Sequence, residues 1–164
     1  YYDLTPQVDF DAVLIPDETK IVSLVLPTFS YQDVDNVRFL GISTWNSPEL
    51  VSRTQGTAEN AVFVDALSLQ SSAPAQKKFI ERYFKEANEA PTSIEAMAFD
   101  AAVAVDGALK EVAAGQVSRS DVLAGLKRTR ELPGVTGRMT YQEGELQRKL
   151  TLLQVKNNQI VEFP

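Results

Sequence analysis

Short apolar runs alternate with helix-like stretches over the first 66 residues, and this limits the folds open to this 164-residue chain more than any other feature. Residues 10–16 (FDAVLIP), 37–42 (VRFLGI) and 60–66 (NAVFVDA) are each short and apolar, the pattern of buried strands. After the first run, Asp17, Glu18 and Thr19 form a capping cluster. Ile21, Val22, Leu24, Val25 and Leu26 then read as an amphipathic helix, which Pro27 is expected to break or kink. A turn at Asp33-Val34-Asp35-Asn36 leads into the second run. Ser47 caps a short helix that has Pro48 at its first position. Strand, helix, strand, helix, strand at this spacing predicts a parallel α/β sheet with crossover helices.

Beyond residue 66 the pattern changes. Residues 73–90 place Phe79, Ile80, Tyr83 and Phe84 on one helical face, with charges opposite. Pro91-Thr92-Ser93 separates them from a longer Ala-rich helix that should end near Gly115. Residues 118–130 read as a third helix, with Ser118 as N-cap and Asp121 three residues on. The tail, residues 134–163, alternates apolar and polar residues, with turn signals at Glu143-Gly144 and Asn157-Asn158. It predicts two or three antiparallel strands.

Composition narrows the chemistry. Hydrophobic residues are 44% and charged ones 23% of the chain, enough for a real core. The net charge is -6, with no basic cluster to displace counterions from phosphates, so nucleic acid is not an expected partner. Cysteine and histidine are both absent. That removes thiol nucleophiles, disulfides, Cys/His metal sites and the commonest acid–base side chain near neutral pH. No glycine-rich phosphate loop occurs, because GVTGRM lacks the Lys-Ser/Thr ending. No cofactor, metal or catalytic residue set is predicted, and the chain does not read as an enzyme. No run of about 18 apolar residues suggests a membrane-spanning helix. The chain opens on Tyr1-Tyr2-Asp3, with neither an initiator Met nor a signal peptide, which suggests a processed piece of something longer.

Candidate site residues follow from position. Asp17 and Glu18 come after the first strand's carboxyl end, where open α/β sheets present ligand sites. They suit either a ligand's cationic group or the capping of the next helix. Ser43, Thr44, Trp45 and Asn46 follow the second strand's carboxyl end. Trp45, the one tryptophan, could form an aromatic wall there or pack as a lid on the neighbouring loop. Glu95, Met97, Phe99 and Asp100 open the long helix. Asp9, Asp11, Asp33 and Asp35 lack the spacing of a calcium loop and read as solvated turns. Lys127, Arg128 and Arg130 read as compensation of a helix C-terminus.

In this order, FDAVLIPD, VRFLGISTWNSPELV, AVFVDAL, FIERYFKEANEAPTSIEAMAFDAAVAVDGAL and LPGVTGRMTYQEGELQRKLTLLQV give the chain a resemblance to a known family. It resembles the C-terminal half of type I periplasmic binding proteins. Among them it is most similar to branched-chain amino-acid receptors and to the lipoprotein activators of penicillin-binding proteins. The resemblance implies part of a two-lobed fold that closes on a small ligand. Residues 1–64 would be a lobe-two α/β segment, 65–132 helices that pack on lobe one, and 133–164 a β segment returning to lobe two. It implies a solute receptor for a small polar molecule such as an amino acid, in an ABC-type uptake system, located in the periplasm or cell envelope. It places Asp17, Glu18 and Ser43–Asn46 at the cleft, and Glu95 and Met97 near the hinge facing the ligand side chain. The partners implied are that ligand and a membrane permease or envelope protein. The middle helices would expose the face that packs on lobe one, so self-association is also expected. Two alternatives stand beside this: an envelope lipoprotein regulating peptidoglycan synthesis by protein contacts, and a carboxylate-based enzyme of flavodoxin-like architecture.

Overall fold

The computed structural model describes residues 8–34, 36–110, 112 and 117–164. The turn residue Asp35 and the expected helix end at Gly115 lie outside the described residues. In chain order the elements begin with β1 (Ala12–Leu14), α1 (Thr19–Tyr31), β2 (Arg38–Gly41), a 3-10 turn at Ser43–Trp45, α2 (Pro48–Thr54) and β3 (Val62–Asp65). Three helices follow: α3 (Pro74–Ala87), α4 (Ser93–Lys110) and α5 (Arg119–Lys127). The chain then runs through β4 (Leu132–Gly134), β5 (Gly137–Gln142), β6 (Glu145–Arg148), β7 (Thr151–Lys156) and β8 (Gln159–Glu162). Two compact units result, one from Tyr1–Asp65 with Thr151–Pro164 and the other from Ala66–Leu150.

The first unit is the α/β sheet that the apolar runs predict. β1, β2 and β3 pair in parallel through Val13↔Phe39 and Leu40↔Val62. β7 pairs antiparallel with β3, and β8 closes the sheet as a hairpin on β7. The hairpin turns at Asn157-Asn158, both with positive φ, a conformation that Asn tolerates better than most residues. Val22, Leu26, Phe39, Trp45, Leu50, Phe63, Leu153 and Val155 form the core. Pro27 does not end α1, as its missing N–H would predict; the helix continues for another turn to Tyr31. That turn brings Phe29 edge-on to Phe39, with ring centroids 5.0 Å apart and planes at 72°. Burial of Leu26 and the aromatic pair offset the one lost backbone bond.

The second unit holds the three helices and a sheet of β4, β5 and β6, all antiparallel. Residues 134–163 therefore make four strands, β5 to β8, rather than two or three. β5 and β6 turn at Glu143-Gly144, again with positive φ at both positions. The turn joining β4 to β5 is Val135-Thr136, where the sequence offers no Asn or Asp signal. Leu67, Ala96 and Val135 form a small core, covered by Leu69, Phe79 and Ile80. Phe84 does not share the buried face of α3 and is exposed. Ser118 and Asp121 cap α5 reciprocally: the Ser118 hydroxyl accepts from Asp121 N, and the Asp121 carboxylate accepts from Ser118 N.

Candidate functional site

In the first unit the loops after the parallel strands sit at the carboxyl ends of β1, β2 and β3, the crevice side of an open α/β sheet. Side chains tie the three loops together. The Thr44 hydroxyl donates to the Asp17 carbonyl at 2.8 Å, and Trp45 Nε1 donates to the same oxygen at 3.2 Å. The Thr19 hydroxyl returns a bond to the Thr44 carbonyl at 2.6 Å. Asn46 Nδ2 donates to Asp65 Oδ2 at 2.7 Å, which links the second loop to the end of β3. Because each loop is held by the next, exposed groups are presented on a fixed backbone. Asp17, Glu18, Ser43 and Thr44 are all exposed, and Asn46 is half-buried.

Trp45 is different. It is 0% exposed and belongs to the core of this unit. Its ring lies over the Cα of Gly41 and packs against Phe63 at 6.2 Å. The picture of Trp45 as an exposed aromatic wall is therefore corrected: the indole fits the space left by a glycine on the strand it follows. Its contribution to the site is to anchor the Asp17 carbonyl through its one N–H.

Thr19 and Asp65 join the set without having been candidates. Thr19 was visible only as part of the capping cluster. Asp65 is 2% exposed, and its signal was a carboxylate closing an otherwise apolar run. A buried carboxylate needs donors, and the Asn46 amide supplies one of them.

Glu95 and Met97 belong to the second unit, Glu95 in the first turn of α4 and Met97 in the second. Glu95 Oε2 accepts from Thr92 N at 2.7 Å and from the Thr92 hydroxyl, while Thr92 Oγ1 accepts from Ile94 N at 3.2 Å. These bonds, the hydroxyl's first, hold the Glu95 carboxyl below its ordinary value of 4.5. A folded-state value below the unfolded one adds stability above about pH 4.5 that is lost as pH falls through the folded value. Glu95→Gln should accordingly flatten the loss of stability that urea titrations record as pH falls below about 4.5. An unchanged pH profile would show that the pair contributes nothing to folding. Met97 is 37% exposed, and Phe99 packs on Phe79 with ring centroids 5.2 Å apart and planes tilted by 49°. Asp100 is fully buried and bonded within its own unit.

The remaining candidates take structural places. Asp9, Asp11 and Asp33 are exposed, and Asp33 has φ 55° in its turn. Arg130 Nη1 donates to the Lys127 carbonyl at the end of α5, at 2.9 Å. Among the described residues no three carboxylates gather as metal ligands, and no helix is long and apolar enough to cross a membrane.

The fold is shared with solved solute-binding proteins. A leucine-binding protein from Thermotoga maritima matches 94% of the chain with TM-score 0.75 and 22% identity. A putative branched-chain amino acid ABC transporter protein from Rhodospirillum rubrum matches 93% with TM-score 0.83 and 21% identity. A branched-chain amino acid substrate-binding protein from Streptococcus pneumoniae, solved with isoleucine, matches 94% with TM-score 0.73 and 21% identity. The chain spans 44%, 44% and 45% of these three proteins. Comparison with curated proteins finds no significant match. A family profile described as periplasmic binding protein matches residues 8–159, and the chain belongs to that family. It is a family of substrate-binding proteins, not of enzymes.

Proposed function

We propose that the strand-end loops of the first unit form one face of a cleft that binds a small polar solute such as an amino acid. The protein would then serve as the receptor of an ABC-type uptake system in the periplasm or cell envelope. The observation that carries this is the bond network from Thr44 and Trp45 to the Asp17 carbonyl and from Asn46 to Asp65. It holds exposed polar groups ready at the sheet's carboxyl edge, so little ordering entropy is lost on binding. Asp17 and Glu18 offer carboxylates to an ammonium group. Ser43 offers a hydroxyl donor to a carboxylate, while Thr44, whose proton goes to the Asp17 carbonyl, offers its hydroxyl oxygen as an acceptor, and Asn46 lies beside them. The isoleucine bound to the Streptococcus pneumoniae neighbour supports an amino acid as first choice.

Thermal-shift screening of the protein against the common amino acids tests this. A ligand at 100 times its Kd stabilises the folded state by about 2.7 kcal/mol. Asp17→Asn should weaken binding of the responding amino acid at least tenfold, because it removes the charge but keeps the carbonyl that Thr44 and Trp45 use. No shift with any amino acid at millimolar concentration would defeat the reading.

A further inference from the structure

The second unit carries a concavity between α4 and α5 that no residue of the strand-end site lines. Its volume is about 210 Å3. Ala104, Gly107, Ala108 and Gly125 form its walls, and Arg128 and Arg130 stand at its rim. The helices meet closely on one side, where a Cβ added to Gly125 would lie 2.7 Å from that of Ala108. They leave room on the other, where a Cβ added to Gly107 would meet nothing within 4 Å. None of the eight lining residues is acidic, although the chain holds 22 Asp and Glu and a net charge of -6. Asp106, beside Gly107 in sequence, is ion-paired with Lys110 at 2.6 Å.

Arg130 is held in place before anything binds. Its Nη1 donates to the carbonyls of Lys127, Thr129 and Tyr141 at 2.9, 2.8 and 3.2 Å. Its Nε and Nη2 donors have no protein partner among the described residues. A guanidinium presents its donors as a planar fork that matches the two oxygens of a carboxylate or phosphate. Here one nitrogen fixes the plane while the others stay available, so the usual loss of side-chain freedom is already met by the fold. Capping of α5 explains the bond to Lys127. It does not explain a carboxylate-free concavity beside the same side chain.

We propose that this concavity binds a small oxyanion, a carboxylate or phosphate group, on the Arg130 guanidinium. The volume lies below the roughly 300–1,000 Å3 of sites for drug-sized ligands, so the occupant is small.

The test is an NMR titration of the labelled protein with inorganic phosphate and, separately, with malonate, at constant ionic strength set by chloride. The two probes distinguish a phosphoryl from a carboxylate preference. Saturable shifts are expected at the Gly107 and Gly125 amides and at Arg130 Nε–H. Gly107→Leu, which grows into the open side and leaves Arg130 untouched, should weaken binding at least tenfold with a dispersed spectrum retained. Arg130→Gln should do the same; if it fails to fold, the Gly107→Leu result decides. Shifts that do not saturate, or that chloride alone reproduces, overturn the proposal. Undiminished binding to Gly107→Leu overturns it as well.

Discussion

Asp100→Ala is expected to destabilise the second unit by about 3–5 kcal/mol, a large part of the roughly 5–15 kcal/mol that a domain has. The Asp100 side chain is fully buried on α4. Its Oδ1 accepts from Val135 N at 2.7 Å, and its Oδ2 accepts from Thr136 N at 2.8 Å and from the Thr136 hydroxyl. This one carboxylate thus satisfies every donor of the two-residue turn between β4 and β5. The turn needs such help because Val135 and Thr136 are β-branched and supply none of the chemistry that favours tight hairpins. Gln76 Nε2 donates to the Val135 carbonyl at 2.8 Å, and Arg148 Nη1 donates to Thr136 Oγ1 at 2.8 Å, so the turn is held from α3 and β6 as well. Gly134 lets the carboxylate approach: a Cβ there would lie 2.6 Å from Asp100 Oδ2.

Alanine would leave two buried N–H groups and a hydroxyl without an acceptor, at about 1–3 kcal/mol each before water or relaxation recovers some of it. Asn keeps one acceptor but turns its NH2 toward a donor, so Asp100→Asn should recover only part of the loss. Urea unfolding followed by circular dichroism measures both variants. Hydrogen exchange at the Val135 and Thr136 amides should rise before the rest of the unit opens. A change below about 1 kcal/mol for Asp100→Ala would mean that water replaces the carboxylate and the turn holds itself.

The elements that were legible in the sequence are those whose signal is local. The three parallel strands are apolar runs bounded by turn residues, although only β2 and β3 carry buried residues and Leu14 of β1 is 60% exposed. Asn157-Asn158 and Glu143-Gly144 declare themselves because their turns require positive φ. What stayed hidden depends on partners distant in sequence. Alternation marks residues 134–163 as strands, yet it cannot say that β4–β6 form one sheet while β7 and β8 join another. Pro27 looks like a stop until Phe29 is seen packed on Phe39. In the candidate site the loop positions were readable, since each follows an apolar run. The roles of Thr19 and Asp65 were not, because their partners lie 25 and 19 residues away.

Gly41→Ala should cost about 1–3 kcal/mol, and Trp45→Ala about 3–5 kcal/mol, with the pair of changes costing less than the sum. Gly41 is a buried residue of β2, and no unusual backbone angle requires a glycine there. Space requires it instead. A Cβ at Gly41 would lie 2.5 Å from Trp45 Cε2 and Cε3, and a rigid indole has no flexible end to move aside. The ring sits between the strand backbone and Phe63, so shifting it would disturb both the core and the N–H bond that anchors Asp17. Removing the indole opens the space that the new methyl needs, which is why the double variant should recover part of the Gly41→Ala loss. Trp45→Phe separates the two roles of this side chain. It keeps most of the ring in the core but loses the bond to the Asp17 carbonyl, for about 1 kcal/mol of stability. Freed of that bond, the Asp17 loop should also present its carboxylates less rigidly, so amino-acid affinity should fall further than stability does. Urea titrations of the four members of the cycle by circular dichroism give the coupling directly. Strict additivity would show that the indole is not what excludes a methyl group from Gly41.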